Sequence, residues 1–217
     1  MNIDILLIII IVTVGVSLLA FNNNDTMQKM MYIPYDVKQN RSYIRMLSHV
    51  LIHADYGHLL FNMLSLYFLG DVLLNGYLIF YDMPKVDGLV PDYGPLAGQL
   101  HFLALYVLGG LFATIIPFIR NQDNPNYRSL GASGAVSAVI FGAIIWNPTM
   151  ELNLMFIPIA IPAYIFGPLY LLYEFYADKR GNTGIAHDAH IGGALFGIVY
   201  ILIINIDKGK QLLDFLF

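Results

Sequence analysis

Cysteine is absent from the chain, so no disulfide framework holds it and no redox compartment can be read from it. Charge is scarce. Asp, Glu, Lys and Arg together make up 12% of the residues, whereas a soluble domain carries about a quarter. The formal charge sums to -4, which argues against nucleic acid as a partner. No repeat of fixed period and no low-complexity tract is present, which excludes repeat architectures. What fills the chain instead is apolar: 58% of residues are hydrophobic and the mean hydropathy is +0.64. These features define a membrane protein of one domain's length, 1–217, and the helical spans that follow make it all-α.

A helix that crosses a bilayer needs about 20 mainly apolar residues. Six stretches qualify, at about 5–21, 56–75, 99–119, 130–146, 155–173 and 185–205. The first is not read as a signal peptide, because residues 1–4 contain no Lys or Arg and such a peptide begins with positive charge. The loops are uneven. Residues 22–50 carry Pro34, several charges and three tyrosines. Residues 76–98 hold Asp82, Pro84, Asp87, Gly88, Pro91, Gly94 and Pro95 and read as a connection. Residues 177–184 form a hydrophilic loop after the fifth helix, and the tail after Asp207 is expected on the surface.

Against this background four polar residues stand out: His58, Asn62, Ser133 and His190, all inside apolar stretches. An ionisable or polar group in a membrane span is costly and is a functional candidate by default. Consecutive spans alternate in direction, so helices two, four and six start on the same side. All four residues lie near those starts and therefore at similar depth. His58 and Asn62 are spaced i, i+4, on one helix face, and both can donate hydrogen bonds. Ser133 sits in Gly131-Ala132-Ser133-Gly134, where glycines let the chain turn tightly and let a substrate come close. Free N–H groups at a helix start favour developing negative charge. His190 precedes Gly193 and Gly197, a GxxxG spacing that suits close packing against the small residues of helix four.

Each residue alone has a structural reading, as a packing serine, a satisfied histidine or a helix-start cap. Together they supply a nucleophile, a base and an oxyanion cradle. No carboxylate is placed to complete a triad. Asp188 is two residues from His190 and points roughly 200° away around the helix. Asp71 lies about 20 Å along helix two from His58 at 1.5 Å per residue. The expectation is a Ser–His dyad without metal or other cofactor. A competing reading is metal handling by His49, His53, His58, His187 and His190, which leaves Asn62 and the Gly-Ala-Ser-Gly turn without a role.

The run His53-Ala54-Asp55-Tyr56-Gly57-His58-Leu59-Leu60-Phe61-Asn62-Met63, then Gly131-Ala132-Ser133-Gly134, then Ala189-His190-Ile191-Gly192-Gly193 resembles the rhomboid intramembrane serine proteases. The resemblance covers nearly the whole chain. It implies a six-helix core, Ser133 as nucleophile, His190 as general base, and an oxyanion hole of His58, Asn62 and the Ser133 N–H. It implies that loop 22–50 is partly embedded and braces the fold, with Arg45 in the place of the family's loop arginine and Ile44 where a tryptophan would stand. The expected partners are the lipid bilayer and transmembrane protein substrates entering between helices two and five. An inactive rhomboid-like binder is the alternative, and the intact Ser133/His190 pair argues against it.

The sequence departs from the family at Ser137, where some relatives carry an aromatic against the catalytic histidine; support is then expected from a Tyr or Phe of helix five. The resemblance implies a bacterial inner membrane with the site facing outward. That orientation puts Lys29, Lys38, Arg41, Arg45, Arg120, Arg128, Lys179 and Arg180 outside, against the positive-inside rule.

Overall fold

The computed structural model describes residues 4–76, 87–153, 160–181 and 183–216. Helix α1 (Ile5–Phe21) starts at Asp4, whose carboxylate accepts from the N–H groups of Leu6 and Leu7. It turns Thr13, Ser17 and Ala20 inward and leaves Leu7, Ile11, Leu18 and Leu19 exposed, the pattern of a helix that meets lipid on one side. The following segment folds as three short helices, α2 (Asn24–Met30), α3 (Pro34–Asn40) and α4 (Arg45–Ser48), and a 3₁₀ turn at His49–Leu51.

This segment is braced from within. The guanidinium of Arg45 donates to the carbonyls of Gln28 and Met31 at 2.8 and 2.7 Å and lies 3.5 Å from the Asp36 carboxylate. Ile44 beside it, in the place expected of a tryptophan, is 69% exposed and is not packed into the fold. Tyr32 exchanges backbone hydrogen bonds with Ser129 and donates its hydroxyl to the Thr114 carbonyl. The long loop is thereby fixed to the stretch that leads into Ser133.

Helices α5 (Tyr56–Asn75), α6 (Leu89–Tyr93), α7 (Pro95–Phe112), α8 (Ile115–Asn121), α9 (Ser133–Trp146), α10 (Ala163–Arg180), α11 (His187–Ile204) and α12 (Ile206–Leu216) complete the helical structure. A two-stranded antiparallel pair, β1 (Glu151–Asn153) with β2 (Ala160–Pro162), precedes α10. Among the described residues, three stretches are long and apolar enough to cross a membrane: Tyr56–Asn75, Pro95–Asn121 and His187–Ile204; Ile5–Phe21 and Ser133–Trp146 are shorter apolar helices.

Helix α9 is the hub. Almost every residue from Gly134 to Trp146 is buried, and α11, α7 and α5 pack around it. A helix apolar on all sides belongs in the middle of a bundle. Its Ala and Gly residues let neighbouring backbones approach closely.

Some boundaries differ from the sequence reading. The fifth helix was expected at 155–173; it runs Ala163–Arg180, with β2 before it, and residues 155–159 lie outside the described residues. The late start follows β2 and falls directly after Pro162, while Pro168 is accommodated inside the helix. Residues 77–86 of the 76–98 connection also fall outside the described residues, but its end is helical at Leu89–Tyr93 and from Pro95 onward. The tail is an amphipathic helix held by Lys208, which pairs with Asp87 at 2.8 Å and lies over the Trp146 ring.

Candidate active site

Ser133 is the first residue of α9, and the two residues before it are held by histidines. Gly131 has φ +117°, a conformation that favours glycine, and its N–H donates to the His49 carbonyl at 3.0 Å. The Ala132 N–H donates to His53 Nε2 at 3.3 Å. His53 is fully buried, with Nδ1 2.9 Å from Ser17 Oγ, and that hydroxyl donates to the Leu51 carbonyl. One tautomer satisfies the chain: Nδ1–H donates to Ser17 and Nε2 accepts from Ala132. Burial, reinforced by the neighbouring His58, pushes His53 down to about 3, so this imidazole is neutral. His53 thus ties α1 to the turn that presents Ser133.

His190 faces Ser133 from α11, its Nε2 2.7 Å from Ser133 Oγ. Backbone contact between α11 and α9 sets this approach. A Cβ on Gly193 would overlap the Gly134 carbonyl oxygen, and one on Gly197 would overlap that of Ala138. Gly134 in turn has no room for a Cβ beside Ala113. The four glycines singled out in the sequence, Gly131, Gly134, Gly193 and Gly197, are therefore positions where backbone or rings meet.

His58 and Asn62 project from the first turns of α5, whose start is capped by Asp55 accepting from the His58 N–H at 2.8 Å. His58 Nδ1 accepts from the Ala54 N–H at 3.4 Å, which leaves Nε2 as the protonated, donating nitrogen. Asn62 Nδ2 donates to the His58 carbonyl at 2.8 Å; a second amide hydrogen remains for another acceptor. Ser133, His190, His58 and Asn62 all line one cavity of about 650 Å³, with Tyr127 and Arg128 also on its wall. A hydroxyl bonded to an imidazole is the pair from which a serine nucleophile and its base are made.

The sequence reading expected no carboxylate near His190, and the structure corrects it. Glu174 of α10 is buried, with Oε2 2.6 Å from His187 Nδ1 and Oε1 3.1 Å from His190 Nδ1. The first contact is a well-formed hydrogen bond. The second is at ion-pair distance but off the hydrogen-bond line, so His190 Nδ1 has no aligned partner. His187 Nε2 meets Thr183 Oγ1 at 2.9 Å. The sequence reading ends the fifth helix at 173, seven residues short of Arg180, which leaves this glutamate outside the apolar helix. A lone carboxylate inside such a helix carries the same default signal as His190. Asp188 stays apart, 3.4 Å from Arg120, and Asp71 is bonded to Asn75 at the far end of α5.

Ser137, the departure after Ser133, lies 3.3 Å from the hydroxyl of Tyr170 on α10, and the ring beside His190 is that of His187. The histidines do not gather into a shared centre. His53 spends both ring nitrogens on Ser17 and Ala132. Glu174, His187 and His190 form the one His/carboxylate group among the described residues with donor atoms within 4.8 Å of one another. Each ring nitrogen in it faces Ser133, Thr183 or Glu174, and that pairing accounts for the spacing.

A helical membrane bundle with a serine and a histidine meeting in an open cavity is the class of protein defined by this geometry. The Rhomboid domain matches residues 40–206, and the chain belongs to the rhomboid family. It is 26% identical over 224 residues to the mitochondrial RHOMBOID-like protein 12 of Arabidopsis thaliana, covering 95% of this chain and 60% of that relative. It is 30% identical over 117 residues to the human mitochondrial presenilin-associated rhomboid-like protein, covering 49% of this chain and 28% of that relative. To the rhomboid protease GluP of Bacillus subtilis (strain 168) it is 24% identical over 174 residues, covering 78% of this chain and 28% of the relative. The chain thus spans from about a quarter to three fifths of the length of these relatives.

Proposed function

We propose that this chain is an intramembrane serine protease that cleaves transmembrane segments of membrane proteins. The observation that carries the proposal is the 2.7 Å contact between Ser133 Oγ and His190 Nε2 on the wall of an open cavity. Ser133 gives its proton to His190 Nε2 as Oγ attacks the scissile carbonyl. The resulting oxyanion is met by His58 Nε2–H, by the free amide hydrogen of Asn62 and by the Ser133 N–H, which sits in a first helical turn without an intrahelical acceptor. His190 then returns the proton to the leaving amine, leaving an acyl-enzyme. Water from the polar mouth of the cavity releases the product by the same steps in reverse.

The substrate must unwind at the cut, because a helix hides its own carbonyls in hydrogen bonds. Segments with helix-weakening residues and small side chains are favoured. Entry runs between α5 and α10, since α10 rests mainly on α11 and both α5 and α10 carry exposed large residues, Tyr56, Leu60 and Phe61 on one and Leu172, Tyr173 and Tyr176 on the other.

A bacterial inner membrane gains no support from the relatives, most of which are mitochondrial by name. The site is proposed to face away from the side that holds α12. Reaction with a fluorophosphonate tests the nucleophile: a single adduct on Ser133, lost in His190→Ala, supports the proposal, and an unmodified Ser133 in folded protein contradicts it.

A further inference from the structure

We infer that Glu174 is the positioning residue for His190, so that the site works as a Ser–His–carboxylate unit with His187 anchoring the carboxylate. This rests on the serine-protease reading and deepens it. The argument begins with burial. Glu174 is 3% exposed, and a buried carboxylate is expensive unless its oxygens are met by donors. His187 meets Oε2 at 2.6 Å, and the Tyr170 hydroxyl of the same helix also lies against the carboxylate. Oε1 faces His190 Nδ1 at 3.1 Å, and that nitrogen is itself buried with no hydrogen-bond partner among the described residues.

The two needs answer each other. With its proton on Nδ1 toward Glu174, His190 presents a bare Nε2 to Ser133, the tautomer that a general base requires. When the Ser133 proton moves to Nε2 and the Oγ–carbon bond forms, the imidazolium keeps its Nδ1–H against a negative oxygen. When the carbon–nitrogen bond breaks, the Nε2 proton goes to the leaving nitrogen and the pair is restored. Glu174 takes no proton and touches no substrate. His187 holds it in place, since its Nδ1–H donates to Oε2 while Nε2 accepts from the Thr183 hydroxyl. The off-line contact to His190 belongs to the free site, where such bonds are long or poorly aligned until substrate is bound.

The groups that face His190 are Glu174 from α10, His187 from its own helix, His58 from α5 and Ser133 from α9. Glu174 is the one acidic group in this set. Its removal therefore has a signature beyond lost stability.

The test uses the full chain in proteoliposomes with a reporter transmembrane substrate, comparing wild type, Ser133→Ala and Glu174→Gln. Glutamine keeps the shape and removes the charge. We expect kcat to fall about 10²–10⁴-fold with KM unchanged, in line with loss of the carboxylate from a serine triad. The acid limb of the kcat/KM profile should move to lower pH, because the imidazolium loses its counter-charge. Fluorophosphonate rates normalised to the fraction finally labelled report folded protein only and read the same effect even if part of Glu174→Gln misfolds. Wild-type kcat and an unmoved acid limb in Glu174→Gln, with cleavage still dependent on Ser133, overturn this inference alone. Cleavage that persists in Ser133→Ala overturns the protease reading beneath it. Loss of wild-type cleavage on chelation, restored by zinc, overturns it as well and assigns the cluster to a cation.

Discussion

The imidazole of His58 occupies the space where Gly131 would carry a side chain: a Cβ there would stand 2.6 Å from His58 Cε1 and 2.8 Å from Nε2. The turn before the nucleophile and the proposed oxyanion donor are thus in direct contact. Gly131→Ala should strain the positive-φ backbone by about 1–3 kcal/mol and push the His58 ring out of the cavity. The checks are a thermal melt and a kcat measurement on the same preparation. Both should fall, whereas wild-type values would place the ring elsewhere.

His58 and Asn62 are expected to support catalysis by stabilising the oxyanion. Removal of one such donor lowers kcat by about 10²–10³ in soluble proteases. Here the remaining side chain and the Ser133 N–H soften each single change. His58→Ala with Asn62→Ala together should lower kcat strongly and leave melting close to wild type. Unchanged turnover in that double variant would remove the oxyanion assignment.

Stability should fall in acid through two buried histidines outside the spans. Burial pushes His49 down to about 4 and His53 to about 3, while the unfolded chain titrates near 6.5. Below about 6.5 the unfolded state binds protons that the folded state refuses, so this contribution is full above that pH and declines toward 4 for His49 and toward 3 for His53. Melting temperatures measured from pH 7.5 down to pH 4 should drop along that window. His49→Phe, which keeps a ring against Tyr32, should show a shallower drop; an identical slope would mean that other groups set it.

Orientation can be read with single cysteines, because the chain has none of its own. Asn126 and Lys210 are both exposed, one near the cavity mouth and one on α12. The account places Cys at Asn126 on the side away from the charge-rule expectation. Four of the eight basic residues there, Lys29, Lys38, Arg45 and Arg120, are paired with carboxylates within the fold, so the loop does not behave as a free basic tail. An impermeant thiol reagent added outside intact cells or mitoplasts should label position 126. Labelling at position 210 alone would invert the proposed topology.

Much of this arrangement is legible in the sequence. Helix alternation alone put His58, Ser133 and His190 at one depth, and the Gly193/Gly197 spacing announced a close backbone contact, because a missing Cβ is visible in sequence. Glu174 was not legible, for a physical reason. Its helix begins after Pro162 rather than at 155 and continues through Arg180, so its last turns are polar and read as loop. Arg45 was visible as a brace, but its acceptors at Gln28 and Met31 are backbone carbonyls, which no side-chain pattern reveals. The role of His53 as the link between Ser17 and the Ala132 N–H was equally hidden, because it depends on a turn and a helix that meet only in three dimensions.

The measurement that bears most directly on the central claim is cleavage of a single-span reporter protein in proteoliposomes by wild type and by Ser133→Ala, with the products sized by mass spectrometry. The account predicts one cut within the membrane segment by wild type, insensitive to chelators, and none by Ser133→Ala. Equal cleavage by both proteins, or no cleavage by a folded wild type whose Ser133 also resists fluorophosphonate, would contradict it.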